Sequence, residues 1–331
     1  MSDLAKLAGV SKSTVSRALA GSERVTVETR ERIQKLAKEH NYRMNVRARN
    51  FRLQEVSTFG VLLPSSGRPD WLASDPFVLE MLGSISDALE QAGGHELLLA
   101  KHSSNDPAWI EDFASTRSVD GIIVIGQSIY HQQLNSLAKS EQNMVVWGAE
   151  MPDQNYVTVG TDNIHGGYLA TKHLIEQGRT RIMFIGDLNH PEIQHRRQGY
   201  LNALEEAGLE FHPHAEELVI SNTLLDLPAF AQFLDEQKPD AIFASVDMLA
   251  ISCINAMHKK GLSIPTDIAV VGYDNIILAQ HVNPALTTVK QDARVAGHLL
   301  VKKLLELINE GKSSNATIPV ELIVRESSEI K

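Results

Sequence analysis

Residues 3–19, DLAKLAGVSKSTVSRAL, decide how this chain is to be read. Leu4, Leu7 and Ala8 fall at i, i+3 and i+4, which gives a short helix one apolar face. Gly9 breaks that helix, Val10 is placed to plug a small core, and Ser11 is a natural N-cap for a second helix. In the second helix Val15, Ala18 and Leu19 turn inward and leave Lys12, Ser13, Ser16 and Arg17 outward. A helix that enters the major groove by its N-terminal end presents Lys12 and Ser13 to base edges, and Arg17 to guanine or to a phosphate. The hydroxyls of Thr14 and Ser16 suit phosphate oxygens, which position a helix without specifying sequence. After AGSER, Thr26 is placed to cap a third helix whose Ile33, Leu36, Ala37 and His40 share a face. The pattern predicts a helix-turn-helix domain over residues 1–43.

The charge distribution agrees. The first 52 residues hold twelve Lys/Arg against five Asp/Glu, and the remaining 279 hold nineteen against thirty-six, within a formal net charge of -10. A basic head on an acidic body predicts that the head meets a polyanion and the body does not.

DLAKLAGVSKSTVSRAL followed by TRERIQKLAKEHNYRMNVRARNFR resembles the N-terminus of the lac repressor family (LacI/GalR) of bacterial transcription factors. The resemblance implies double-stranded DNA, a near-palindromic operator, as partner, with Ser11, Lys12, Ser13, Thr14, Ser16 and Arg17 at its surface. It also implies that residues 44–57 form a hinge that folds on DNA and inserts apolar side chains into the minor groove. There Phe51 would be the wedge or else pack against the body, while Asn45, Arg47 and Arg49 hold phosphates. Two departures stand out: Met44 replaces the usual Pro, and Phe51 the usual Leu. The start is shorter than the basic leader of many relatives.

From Phe59 onward strand-like and helix-like runs alternate, from FGVLLP to VAGHLLVKKLLELINEG, which predicts parallel sheets covered by helices. The fold class expected is α/β: a helix-turn-helix domain plus a periplasmic-binding-protein-like core (58–331) of two doubly wound parallel-sheet subdomains. The resemblance implies three crossings between them, placed near Gly160, Val289 and Pro319. The subdomains then span about 58–159 with 290–319, and about 160–289 with 320–331. The chain stops soon after VELIVRESSEIK without leucine heptads, so a homodimer is expected rather than a tetramer.

Ligands of open parallel sheets collect beyond the carboxyl ends of strands. Candidates there are Asp75, Phe77, Trp147, Arg196, Asp247, Asp274 and Gln291. Arg196 leads Gly199 by three residues, as the family's effector-contacting arginine does, and Asp274 matches an effector-site acid. Asp247 reads either as a ligand group or as a helix cap, Trp147 as core or ligand platform, and Trp71 as part of a loop over the cleft. Carboxylates and a guanidinium can each bond two neighbouring hydroxyls, which suits a mono- or disaccharide effector. VVWGAE with VGTDNIHGGYLATKHL is faintly similar to regulators of α-glucoside use. Val246, and Gly148 with Ala149, depart from the polar and acidic residues of many relatives.

Other readings fit less well. GIIVIGQS has P-loop glycine spacing but Gln127 where lysine is needed. No GxGxxG follows a strand. His212 and His214 lack a third metal ligand, and the single cysteine, Cys253, sits in an apolar run. No catalytic residues, metal or cofactor are expected. MSDLAKLAGVSKS carries no continuous apolar stretch and no run reaches the ~20 residues of a membrane span, so a cytoplasmic chain without membrane contact is expected. The reading is a sequence-specific repressor of carbohydrate-utilisation genes, not an enzyme. The alternative is a sugar-binding or sugar-processing protein whose basic head serves another purpose.

Overall fold

In a computed structural model of the chain, the residues described are 5, 7–19, 25–39, 58–64, 75–102, 109, 113, 119–127, 130–139, 143–211, 218–221 and 224–329. They form two units, divided between Ser57 and Thr58.

In the first unit α1 (Lys12–Leu19) and α2 (Val27–Glu39) pack on each other. Their core is Ala5, Ala8, Val15, Ala18, Val25, Ile33 and Ala37, with Val10 and Leu36 partly buried against it. Leu7, expected inside, is 56% exposed; Ala5 and Ala8 form the buried face of the first helical turn instead.

The second unit holds two sheets. The first has the order β12-β5-β4-β3-β1-β2, with β1 Thr58–Pro64, β2 Glu96–His102, β3 Gly121–Ile125, β4 Met144–Trp147, β5 Val157–Thr161 and β12 Ala316–Ile318. All its pairings are parallel. Such a sheet must be covered on both faces, and β1, β3 and β4 are buried along their whole length. Its helices are α3 (Pro76–Gln91), α4 (His131–Lys139) and α9 (Ala293–Glu310), the last packed on α3.

The second sheet runs β13-β11-β10-β9-β6, with β6 Ile182–Ile185, β9 Ala241–Ala244, β10 Ala269–Asp274, β11 Thr287–Lys290 and β13 Glu321–Ile323. Only β13 is antiparallel to its neighbour. Helices α5 (Asn163–Glu176), α6 (Pro191–Ala207), α7 (Leu227–Gln237) and α8 (Asp247–Lys259) belong to this lobe, with a small hairpin of β7 (Val219–Ser221) and β8 (Leu224–Leu225).

The chain passes between lobes three times. Gly160 and Thr161 still pair with β12, so the first passage falls at Asp162. Val289 and Lys290 still pair with β13, so the return falls at Gln291 and Asp292. The third uses Pro319 and Val320, between β12 and β13. At the first two passages an aspartate caps the next helix: Asp162 accepts from His165 N and Asp292 from Val295 N.

Candidate functional site

In the head, the turn before α1 is fixed in several ways. Gly9 takes φ +62, where a side chain would be strained, and Val10 N donates to Ala5 O at 3.1 Å, closing the preceding helical turn. Arg32 of α2 donates to Ala8 O at 2.9 Å, satisfying a carbonyl at that helix end. Ser11 Oγ accepts from Thr14 N at 3.1 Å and lies 2.9 Å from Thr14 Oγ1. Ser11 therefore caps α1, and the Thr14 hydroxyl is engaged with it. The Thr26 hydroxyl, just before α2, donates to Thr29 Oγ1 at 2.9 Å. Arg17 is exposed. The side chains of Lys12, Ser13 and Ser16, together with Asn45, Arg47, Arg49, Phe51, Trp71, His212 and His214, lie outside the described residues.

In the core, Arg196 on α6, Asp274 at the end of β10 and Gln291 beyond β11 come together, all buried. Arg196 Nη1 lies 3.7 Å from Asp274 Oδ1 and donates to Ser245 O; its Nε donates to Asn163 Oδ1 at 2.9 Å. The guanidinium lies over the Tyr273 ring, 3.7 Å from the centroid. Gln291 Nε2 donates to Asp274 Oδ1 at 2.6 Å, and Thr161 Oγ1 donates to Gln291 Oε1 at 2.7 Å. No described residue hydrogen-bonds Asp274 Oδ2.

Burial pushes the Asp274 carboxyl well above the usual carboxylate range; Arg196 opposes this, while the charges of Asp247 and Asp75 add to it. Its backbone is strained too: Asp274 has φ 114 and Asn275 φ 57, both in the left-handed region. Arg325 Nη2 holds Asn275 Oδ1 at 2.6 Å.

Asp247 departs from both expectations. It is 0% exposed, so it presents nothing to the cleft, and α8 has no side-chain cap. Its Oδ2 accepts from Ile276 N at 2.9 Å and its Oδ1 from Thr288 Oγ1 at 2.6 Å. It props the turn that carries Asp274, and burial pushes its pKa up to about 7. Asp75 caps α3, accepting from Phe77 N at 2.9 Å. Trp147 and Phe77 are buried, with ring centroids 5.8 Å apart and ring planes tilted by 43°.

Two cavities are lined by residues of the network or their chain neighbours. One, about 370 Å³, is lined by Pro76, Glu80 and Arg294 of the first lobe and Asn275, Ile277 and Arg325 of the second. The other, about 210 Å³, includes Glu150, Thr161, Asp162, Asn163 and His195. Sequence reasoning missed Thr161, Asn163 and Ser245. Thr161 and Ser245 close strands or follow them at their carboxyl ends, but a hydroxyl there carries no sequence signal that separates a site residue from an ordinary strand end.

Cys253 is buried and its thiol is pushed up by desolvation, which makes it a poor nucleophile. Gln127 bonds Ala149 N and O, at 3.0 and 2.6 Å, and so closes the strand ends where a P-loop would hold phosphate. Among the described residues no group of three His, Cys, Asp or Glu is placed to hold a metal, and no helix is long and apolar enough to cross a membrane.

A helix-turn-helix unit and a bilobal α/β unit with a buried polar network between its lobes define a DNA-binding regulator with a ligand-binding core. Residues 1–45 match "Bacterial regulatory proteins, lacI family", and residues 171–328 match a periplasmic binding protein-like domain. The ribose operon repressor of Haemophilus influenzae is 31% identical over 99% of this chain and 98% of its own length. The transcriptional repressor PurR of Aliivibrio salmonicida is 32% identical over 93% of this chain and 92% of its own. Among solved structures, the transcriptional regulator CelR–cellobiose complex superposes with a TM-score of 0.70 at 28% identity, over 98% of both chains. The chain belongs to the lacI family. It is a DNA-binding transcriptional regulator with an effector-binding core, and not an enzyme.

Proposed function

We propose that the chain is a homodimeric repressor whose operator affinity is set by an uncharged, hydroxyl-rich effector, a mono- or disaccharide, held at Arg196 and Asp274. The observation that carries the effector class is electrostatic. The charges of Asp75 and Asp247 are felt at Asp274 and are opposed by the buried guanidinium of Arg196, and burial already makes Asp274 resist ionisation. An anionic ligand such as a sugar phosphate would add repulsion, whereas a hydroxyl can donate to Asp274 Oδ2 and accept from Arg196. The ribose operon repressor and the cellobiose complex among similar proteins support the same class.

A purine base is the second reading, prompted by the PurR repressors. In the head, Lys12, Ser13 and Arg17 read bases, Ser11 positions α1, and Thr14, Ser16, Asn45, Arg47 and Arg49 meet phosphate while Phe51 wedges the minor groove. Exposed Leu79 and Val295 on the first lobe, and Ile277 and Leu278 on the second, supply apolar area for a second copy.

The test is fluorescence anisotropy of a labelled duplex carrying the best palindrome upstream of the gene. Ribose, cellobiose, other mono- and disaccharides, their phosphates and purine bases are added to the preformed complex. A shift caused by a neutral sugar alone is expected; a response to phosphates or purines alone overturns the effector class.

A further inference from the structure

Thr161 is the last residue of β5 in the first lobe, Asp274 the last of β10 in the second, and Gln291 lies on the passage between them. Thr161 Oγ1 donates to Gln291 Oε1 at 2.7 Å, which leaves the amide nitrogen as the end that faces Asp274. That nitrogen donates to Asp274 Oδ1 at 2.6 Å, and Gln291 N also reaches Asp274 O at 3.4 Å. All three side chains are buried. A second tie near the passages, Lys290 Nζ to Asp292 at 3.7 Å and to Glu321 at 3.1 Å, involves a lysine side chain 37% exposed and is weak by comparison.

We infer that Thr161 and Gln291 form a clasp that ties the angle between the lobes to the hydrogen bonds of Asp274. While Asp274 Oδ1 accepts from Gln291, the end of β5 is held to the end of β10. A ligand donor that takes this oxygen frees the amide and with it the tie to the first lobe. Thr161 is thus a positioning residue that acts through Gln291. The inference rests on the reading of Arg196 and Asp274 as the ligand site, but its test does not use a ligand.

Gln91→Cys and Glu205→Cys place spin labels on exposed positions of the two lobes, while native Cys253 is buried and escapes labelling. Distance distributions are then recorded for the full, unliganded chain by double electron–electron resonance. Thr161→Val keeps the shape and removes the donor; the population outside the wild-type peak is expected to rise about 2- to 13-fold, the range one buried hydrogen bond supports. Thr161→Ser restores the donor and is expected to restore the wild-type distribution. A Thr161→Val distribution that superimposes on wild type overturns the clasp. So does an equal disturbance by Thr161→Ser, which would assign the effect to methyl packing. If Thr161→Val does not fold, Gln291→Met is read in the same way, and an unchanged distribution again overturns it. Because neither sugar nor DNA is present, a failed sugar panel would sink the effector class and leave the clasp standing.

Discussion

Asp274 and Asp247 are twenty-seven positions apart in sequence and share one turn, yet their environments give them different work. Asp274 has one oxygen tied to Gln291 and the other without a described partner, whereas both oxygens of Asp247 are spent on Thr288 and Ile276. Asp274→Ala removes that acceptor and is therefore expected to weaken the effector response by about 2- to 13-fold, the range of one hydrogen bond contributing about 0.5–1.5 kcal/mol. Anisotropy of the same duplex with and without sugar checks this, and an unchanged response removes Asp274 from the site. Asp247 predicts a pH effect. Its pKa rises from 3.8 in the unfolded chain to about 7 when folded, so across that window the native state holds a proton the unfolded state has lost. Its contribution to stability is present below 3.8 and is lost as pH rises towards about 7. Asp247→Asn cannot ionise, so the melting temperature of the variant relative to wild type is expected to climb between about pH 4 and 7 and level off above, in thermal unfolding followed by circular dichroism. A flat difference contradicts the assignment.

At the scale of elements, α5 and α6 bring Arg196 into place because glycine lets their backbones touch. A Cβ on Gly199 would sit 1.9 Å from Ile164 O, in backbone that cannot swing aside. Gly199→Ala is expected to cost about 3 kcal/mol by overpacking and to move Arg196 from Asn163 and Tyr273. Thermal unfolding and effector titration of one preparation should show both losses, and unaltered stability refutes the close approach. Helix α1 poses the reverse case: its orientation is set by Gly9, the Ser11 cap and Arg32, while its chemistry is carried by exposed side chains. Arg17→Ala should relax sequence preference as well as weaken binding, by about 1–3 kcal/mol on the preferred duplex and less on random DNA. An equal loss on both restricts Arg17 to phosphate. The helix boundary here was readable because Gly9 and Ser11 are local signals. The burial of Ala5 instead of Leu7 was not, since i, i+3 spacing defines a face without saying which edge of it meets α2.

Over the whole molecule, the basic head and acidic body make DNA association an electrostatic event confined to one end of the chain. Raising salt from about 50 to 200 mM is expected to weaken operator binding by at least about a thousandfold if six or more phosphates are contacted, while sugar binding by the same protein changes little. An effector affinity that falls in parallel would show ion pairing at the core site and contradict the uncharged effector class.

What the sequence determined by itself is whatever is written in local signals and periodicity. The helix-turn-helix pattern, the alternation of strands and helices, and Asp274 as a carboxylate at a strand end were legible there, while Arg196 stood out through its three-residue lead on Gly199. What only the tertiary structure decided is which of those polar groups face one another and which face a ligand. Asp247 was legible as a carboxylate beside a strand end, but its partners Thr288 and Ile276 come from β11 and the turn after β10, so its burial could not be read from its own neighbourhood. Thr161 carries no signal in sequence beyond ending a strand, and it acquires a role only because two lobes and a returning passage meet at its hydroxyl. The physical reason is the same for both residues. A short-range pattern fixes the face of an element, but a hydrogen bond between side chains 130 or 41 positions apart exists only once the sheets have been assembled.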